Sequence, residues 1–151
     1  MTESLDIIYI SLSGNTDIFV KRLAHHLTDI NQASSDMQLV NVKFVDDFYT
    51  VTRPFIAILP TYLKGGNGTD NGFEEILTDK LRYFLAYHDN YHLCQGIIGS
   101  GNRNFNKQFA LTAKQYAEQF SFPVLDEFEL RGNKYDIERI TNTIINLKQT
   151  N

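Results

Sequence analysis

A short segment rich in hydroxyl and amide groups has the composition of a phosphate-binding loop. Its six residues are Ser11, Leu12, Ser13, Gly14, Asn15 and Thr16. They precede an amphipathic stretch typical of a helix, and the free N–H groups of a helix N-terminus attract anions. The segment contains no Lys or Arg. It would therefore bind a phosphate monoester through neutral donors and the helix dipole, which contributes about 0.3–1 kcal/mol per charge and up to about 2 kcal/mol when partly buried. The alternative is that Asn15 or Thr16 simply caps the helix.

A second segment, residues 60–72, contains four glycines in thirteen residues. Glycine accepts positive φ and lacks a Cβ, so such a backbone can lie against a flat ligand. If that ligand were a flavin, a backbone carbonyl turned inward could accept the N5–H that forms on reduction. The alternative is an ordinary surface loop, because Gly, Asn and Asp are common in turns. The candidate binding residues here are Pro60, Thr61, Tyr62, Gly65, Gly66, Asn67 and Gly68.

A third segment begins at Gly99 and combines small residues, amides and one aromatic ring. Its candidate binding residues are Ser100, Gly101, Asn102, Asn104 and Phe105. We expect Tyr62 and Phe105 to flank one crevice and to stack on an aromatic ligand. Burial in the core is the alternative for both rings. One such segment would carry little weight, whereas three that meet at the same edge of a sheet indicate a binding site.

The elements that must position these segments follow from hydrophobic periodicity. Short apolar, β-branched runs predict five strands, at Asp6–Ser11, Leu39–Val45, Phe55–Leu59, Leu93–Ile98 and Val124–Phe128. Apolar residues at helical spacing predict four helices, at Thr16–Thr28, Phe73–Tyr87, Lys107–Phe120 and Tyr135–Lys148. Residues 46–54 are too few for an ordinary helix, so we expect that connection to be mostly loop.

Strands that alternate with helices predict an α/β protein with a parallel sheet and helices on both faces. Five parallel strands admit two common doubly wound orders, and in both a ligand sits beyond the carboxyl ends of the strands, where the order reverses. The chemistry should therefore lie in the loops that follow strands one, three and four. These are the three segments described above.

Three other nucleotide- or phosphate-handling classes do not match. A P-loop NTPase would need GxxxxGK[ST], and the first loop has neither the Lys nor the second Gly. A dinucleotide-binding fold would place GxGxxG after the first strand, yet Gly99-Ser100-Gly101 follows the fourth and lacks the third Gly. A response regulator would need acidic residues after strand one and an Asp after strand three, where this chain has Ser11, Ser13 and Pro60-Thr61-Tyr62.

Length and composition set the remaining bounds. The 151 residues predict one domain, 1–151, and 42% hydrophobic residues can supply its core. A net charge of −4 disfavours nucleic-acid binding. With no leader-like N-terminus and no long apolar run, we expect a cytoplasmic protein without membrane contact.

The lone Cys94 should be a buried, inert thiol. His88 and His92 lack a third ligand, so we predict no metal site.

Together these residues resemble the NrdI family, the flavodoxin-like activators of class Ib ribonucleotide reductase. The first loop resembles that of flavodoxins in general. The segment Ser100-Gly101-Asn102-Arg103-Asn104-Phe105 and the segment Phe128-Glu129-Leu130-Arg131-Gly132, followed by Asp136-Ile137-Glu138, resemble signatures of the NrdI family itself. The resemblance spans about residues 6–148, although residues 29–38 and 64–72 look longer than in compact members of the family.

The resemblance implies a flavodoxin-like three-layer α/β/α fold with strand order 2-1-3-4-5 and an FMN at the carboxyl edge of the sheet. It also implies a partner, the dimanganese form of the class Ib ribonucleotide reductase small subunit, and an electron donor that reduces the flavin. The protein would supply superoxide or a peroxide species for assembly of the partner's dimanganese-tyrosyl radical cofactor. It would thus be a redox flavoprotein that acts on a partner enzyme rather than a stand-alone catalyst.

The alternative is a general flavodoxin-type one-electron carrier. Residues 61–69 and 96–107 contain no Asp or Glu but include Lys64, Arg103 and Lys107. A rim that is neutral to positive should make the negatively charged, fully reduced flavin easier to form. This rim and the segment after strand four favour the activator over the carrier. The alternative for each of the three cations is an ordinary solvated surface charge.

Overall fold

Five parallel strands form one sheet at the centre of the protein. The computed structural model describes residues 5–30, 36–62, 77–101 and 110–149. Their strands are β1 (Asp6–Tyr9), β2 (Leu39–Asn41), β3 (Phe55–Leu59), β4 (Cys94–Gly101) and β5 (Val124–Glu129). The order across the sheet is β2-β1-β3-β4-β5, and every neighbouring pair is parallel. The flavodoxin-like strand order expected from the sequence is confirmed.

Four α-helices cover the two faces of the sheet. They are α1 (Asn15–Asp29), α2 (Asp79–Ala86), α3 (Leu111–Phe120) and α4 (Lys134–Gln149). Two short 3-10 helices lie at Val42–Phe44 and Tyr87–Leu93. Side chains of α2 and α3 share one hydrophobic cluster, whereas those of α1 and α4 share the other. The expected three layers are therefore present. Within the described residues, no helix is both long and apolar enough to cross a membrane.

The central strands β1 and β3 are buried on both faces, as their continuous apolar runs require. All five residues of β3 have no exposed surface. Phe55, Ala57 and Leu59 belong to the cluster under α2 and α3, and the alternate residues Ile56 and Ile58 belong to the other. Strand β3 therefore offers no polar side chain to solvent through either face.

The prediction that the second strand spans Leu39–Val45 is wrong beyond Asn41. Residues Val42–Phe44 form a 3-10 turn, in which the Asn41 side chain accepts a hydrogen bond from the Lys43 N–H at 3.1 Å. Asn side chains commonly bond to nearby backbone N–H groups and so compete with strand pairing. Because β2 is an edge strand with one neighbour, little opposes the turn. The following residues, 46–54, contain no helix, as expected.

The fourth strand is longer than predicted, and the third candidate segment starts inside it. Gly99, Ser100 and Gly101 were expected in a loop, yet they are the last residues of β4 and pair with residues 127–129 of β5. An added Cβ at Gly99 would lie 2.5 Å from the Cβ of Ala113. Small residues are thus needed here because α3 packs closely against the strand, a tertiary contact that outweighs the poor strand propensity of glycine.

The second helix begins later than its periodicity indicated. Leu77 was assigned to the apolar face of a helix starting at Phe73, but it has φ +69° and is 60% exposed. The helix starts at Asp79 and ends at Ala86, where the 3-10 segment takes over. Residues 73–76 lie outside the described part of the chain. Periodicity alone could not place this start, because Leu77 has an apolar side chain in a non-helical conformation.

The other helices differ from prediction mainly at their ends. Helix α3 begins at Leu111 rather than Lys107, and Ala110 before it adopts a left-handed conformation; residues 107–109 lie outside the described residues. Helices α1 and α4 each extend one residue further at both ends than predicted. Strand β1 ends at Tyr9 instead of Ser11, whereas β5 continues to Glu129. These shifts leave the predicted element order intact.

The single cysteine is the buried, inert thiol that the sequence predicts. Cys94 is 7% exposed and its Sγ donates to the Gly96 carbonyl at 3.3 Å. Burial raises the pKa of the Cys94 thiol to about 12. The thiolate is the reactive form of cysteine, so Cys94 has no nucleophilic role at neutral pH.

The close contact between β4 and α3 generates a first prediction. Gly99→Ala should lower the free energy of unfolding by about 1–3 kcal/mol, because the new Cβ would overlap the Ala113 Cβ. Ala113→Gly should cost about 1 kcal/mol by itself through helix propensity. In the double variant the overlap disappears. Its loss in free energy of unfolding should therefore be smaller than the sum of the losses in the two single variants. Urea unfolding of all four proteins measures this coupling, and simple additivity would contradict the packing described.

Candidate functional site

The strand order reverses between β1 and β3, and the described residues of the three candidate segments lie at the carboxyl edge of the sheet. Strand β2 lies on one side of this pair, and β4 and β5 lie on the other. The two central strands stay together to their carboxyl ends, where the Ile10 N–H donates to the Ile58 carbonyl at 3.2 Å. Loops that leave neighbouring strands in opposite directions open a crevice at this point. The loop after β1 and residues 60–62 after β3 lie at this point.

Helix α1 begins in a tight turn that depends on Gly14. This residue is the N-cap, with φ +100° and ψ −17°, a conformation that L side chains rarely adopt. Among the described residues, a Cβ placed on Gly14 would meet no atom within 4 Å. The space beside the turn is therefore open to a ligand. Asn15 and Thr16 are already inside the helix, so the alternative in which either caps it is wrong.

The N-terminus of α1 presents several hydrogen-bond donors toward this space. The N–H of Asp17 donates to the Ser11 Oγ at 3.0 Å. Within the described residues, the N–H groups of Asn15 and Thr16 have no acceptor, as expected for the first turn of a helix. Because the Ser11 oxygen accepts from Asp17, its own O–H hydrogen remains available to donate. Ser13 is exposed, whereas Leu12 packs against the core.

Asp17 also anchors the helix to β1 through its side chain. The Tyr9 hydroxyl donates to Asp17 Oδ1 at 2.6 Å, and Lys21 Nζ lies 2.8 Å from Asp17 Oδ2. The hydrogen bonds from Lys21 and Tyr9 lower the pKa of the Asp17 carboxyl. Burial, together with the bond to Asp17, raises the pKa of Tyr9, which keeps the phenol protonated. The sequence analysis missed these residues, and their only signal was an acidic residue in the first helical turn.

Asn41 is a second neighbour of the loop that the sequence analysis missed. Its Oδ1 accepts from the Ser11 N–H at 3.3 Å and from the Lys43 N–H at 3.1 Å. The end of β2 is thereby tied to the start of the loop after β1. An Asn at the end of an apolar, β-branched run was the available signal, although 30 residues separate Asn41 from Ser11.

The start of the second segment is tied to the start of the third. The Thr61 hydroxyl donates to the Ser100 carbonyl at 2.9 Å. Pro60, Thr61 and Tyr62 are half-buried, and Ser100 is buried. The end of β4 is held in turn by β5, because the Leu130 N–H donates to the Gly101 carbonyl at 3.0 Å. The described parts of all three segments thus lie at the carboxyl edge of the sheet.

The remaining candidate residues lie outside the described residues. They are Gly65, Gly66, Asn67, Gly68, Asn102, Asn104 and Phe105. The same holds for Lys64, Arg103 and Lys107, the three cations of the expected flavin rim. Their parts in the site stay predictions from the sequence.

The donor set beside Gly14 fits a phosphate monoester. It offers backbone N–H groups, a buried serine hydroxyl and the positive end of a fifteen-residue helix dipole. The one carboxylate of the first turn, Asp17, is paired with Lys21. Within the described parts of the chain, no three His, Cys, Asp or Glu side chains are grouped so that they could hold a metal ion. The geometry therefore suits the binding of a phosphate group by neutral donors. We name the residues Ser11, Gly14, Asn15 and Thr16 the phosphate seat.

A comparison with known protein families shows to which family this chain belongs. The model described as NrdI Flavodoxin like matches residues 7–142. This chain belongs to the NrdI flavodoxin-like family. The matched region includes every described strand except the first residue of β1, and it covers all three candidate segments. The resemblance found in the sequence is thus confirmed.

Curated relatives match the sequence of this chain over most of their own length. An NrdI-like protein of Streptococcus pyogenes serotype M18 (strain MGAS8232) is 52% identical over 142 residues, which cover 93% of this chain and 92% of the relative. The protein NrdI of Mycoplasma pneumoniae (strain ATCC 29342 / M129 / Subtype 1) is 31% identical over 140 residues, covering 93% and 82%. The protein NrdI of Bartonella tribocorum (strain CIP 105476 / IBS 506) is 34% identical over 134 residues, covering 88% and 87%.

Solved flavodoxin structures share this fold. A short-chain flavodoxin associated with a non-canonical PDU bacterial microcompartment superposes with a TM-score of 0.66 at 17% identity, covering 99% of both chains. Flavodoxin 2 from Bacillus cereus superposes with a TM-score of 0.59 at 16% identity, covering 98% of this chain and 99% of the other. At these identities the likeness establishes the fold.

The environment of Asp17 generates a prediction about pH. A carboxyl with a lowered pKa in the folded state stabilises the fold above its ordinary pKa of about 3.9, and this contribution is lost as the pH falls through the folded value. Asp17→Asn should therefore be less stable than wild type at pH ~7, by under about 1 kcal/mol because Lys21 is exposed. At pH ~2–3 the difference in free energy of unfolding between the two proteins should shrink. Urea unfolding at both pH values measures this difference. An equal difference at both pH values would contradict a lowered pKa for Asp17.

Proposed function

We propose that this chain binds FMN and serves class Ib ribonucleotide reductase. It would supply the oxidant and electrons for assembly of the dimanganese-tyrosyl radical cofactor in the reductase small subunit. Membership of the NrdI flavodoxin-like family supports this role. The proposal further takes residues 1–151 as a single flavodoxin-like domain that works in the cytoplasm.

The observation that carries the proposal is the phosphate seat at the reversal of strand order. The Ser11 hydroxyl and the N–H groups of Asn15 and Thr16 would hold the FMN phosphate, with Ser13 at the exposed side of the turn. These donors are neutral, and they lie where parallel α/β sheets bind their ligands. A ligand with a terminal phosphate and a flat ring fits a crevice that has this seat at one end.

The ring end of the crevice would be formed by the other two segments. Tyr62 and Phe105 would provide aromatic contact, and the glycines at 65, 66 and 68 would let the backbone approach the ring. The amides of Asn67, Asn102 and Asn104 would donate to its polar edge. The bond between Thr61 and Ser100 holds the bases of these two segments together. When bound, FMN would supply electron-transfer chemistry that no side chain of this protein provides.

The general electron-carrier function remains the alternative within the same fold. A carrier would use the same phosphate seat and the same ring contacts, so flavin binding does not separate the two functions. What separates them is the reaction with the partner. An activator must generate the radical in the small subunit, whereas a carrier only passes electrons between a donor and an acceptor.

The phosphate seat generates a prediction for Gly14. Gly14→Val should weaken FMN binding at least tenfold, because a β-branched residue resists φ +100° and its side chain enters the space beside the seat. The apo protein titrated with FMN, followed by flavin fluorescence, measures the affinity.

Ser121→Val is the matched control for this substitution. Ser121 also has positive φ, +62°, but it ends α3 before the start of β5, at the opposite edge of the sheet. It should lose stability through the same backbone strain yet bind FMN as wild type does. Equal affinities for the two variants would place the phosphate elsewhere.

The partner reaction generates a second prediction. The reduced, FMN-loaded protein mixed with the dimanganese small subunit and oxygen should produce a tyrosyl radical, detected by electron paramagnetic resonance. The Gly14→Val variant, prepared in the same way, should produce far less. Efficient electron transfer to an artificial acceptor without any radical in a competent partner would favour the carrier function.

A further inference from the structure

We propose that Tyr9, Asp17 and Lys21, named here the Asp17 clamp, set the phosphate affinity of the seat without touching the ligand. The inference rests on the proposed FMN function and assigns these three side chains a positioning role within it. The clamp would hold the Ser11 hydroxyl in its donating orientation and cancel the negative charge that Asp17 brings to the first turn of α1.

The first part of the argument is geometric. Asp17 is the third residue of α1, and its main-chain N–H donates to the Ser11 Oγ at 3.0 Å. Its side chain accepts from the Tyr9 hydroxyl at 2.6 Å. A single residue therefore joins the helix both to the loop serine and to the last residue of β1. If the Tyr9 bond were lost, the first turn of α1 could move away from β1, and the Ser11 bond would loosen with it.

This arrangement orients the Ser11 hydroxyl group. Its oxygen accepts from Asp17, so the remaining hydrogen is free to donate to an anion. Ser11 is 5% exposed and its main-chain N–H is held by Asn41, which restricts its movement. Tyr9 is buried and its phenol stays protonated, so it acts as a constant donor to Asp17. The seat is thus preorganised before a ligand arrives.

The second part of the argument concerns charge. A carboxylate in the first turn would compete with a phosphate dianion for the helix dipole and would repel it. Lys21, one turn further along, lies 2.8 Å from Asp17 Oδ2 and neutralises it. Asp17 can then serve as a structural link at a reduced electrostatic cost to the ligand. The Lys21 side chain is 66% exposed, so it can be changed without disturbing the core.

The test compares two flavins that differ only in the phosphate. The apo protein and its variants are titrated with FMN and with riboflavin, and flavin fluorescence gives both dissociation constants. Tyr9→Phe should weaken FMN binding about 3- to 10-fold, the loss expected for one hydrogen bond, and should leave riboflavin binding unchanged. A variant that merely destabilised the fold would weaken both flavins alike, and that result would overturn the positioning role.

Lys21 provides a test that does not depend on the core. Lys21→Met should weaken FMN binding about threefold or more, and high salt should reduce the loss because the uncovered charge is near the surface. Adding Asp17→Asn in the same chain should restore FMN affinity to that of Asp17→Asn alone. If the double variant stays as weak as Lys21→Met, the charge argument is wrong.

Lys114→Met is the matched control for Lys21→Met. Lys114 is 55% exposed and pairs with Glu127 at 3.4 Å, on the helix layer opposite α1. This variant carries the same change of charge and should keep the wild-type ratio of FMN to riboflavin affinity. An equal loss of FMN affinity in both lysine variants would mean that the effect comes from net charge alone, and it would contradict the role of Lys21 in the clamp.

The experiment also separates the clamp from the function on which it rests. A wild-type chain that binds neither flavin would overturn the proposed function and the clamp together. A wild-type chain that binds FMN more tightly than riboflavin, with all variants unchanged, would overturn the clamp alone.

Discussion

The burial of both faces of the central strands is the constraint on which the rest of the structure depends. Strand β3 has no exposed residue, and its side chains alternate between two separate hydrophobic clusters. Strands covered in this way can offer polar groups to a ligand only near their ends. The position of the candidate site is a consequence, because the parallel strands bring their carboxyl ends to one edge.

At that edge, the turn from β1 into α1 forms the candidate phosphate seat through its backbone conformation. Gly14 adopts φ +100°, which costs an L residue roughly 1–2 kcal/mol or more. The first N–H groups of α1 follow this turn, and the Ser11 hydroxyl accepts from the N–H of Asp17. The donors of the candidate seat are thus groups that any helix start possesses, and the position of the loop brings them to the edge where ligands bind in such sheets.

Much of the fold was predictable, and the errors have identifiable physical causes. The runs at β1, β3 and β5 and the periodicity of α1 and α4 are local signals that agree with the tertiary structure. Errors occurred where a tertiary contact or a local hydrogen bond outweighed the pattern. Asn41 turns the chain at the end of β2, and Gly99 stays in β4 because α3 packs against it. Leu77 has an apolar side chain outside any helix, which hydrophobicity could not reveal.

By itself, the sequence determined the class of fold, the three segments that follow strands one, three and four, and the resemblance to the NrdI family. These depend on composition and on spacing along the chain, so they can be found without coordinates. Only the tertiary structure decided which partners complete the phosphate seat. Tyr9 meets Asp17 because a strand end and a helix start pack on the same face of the sheet, and Asn41 reaches Ser11 across 30 residues. Such contacts depend on the pairing of elements in space, which no local pattern encodes.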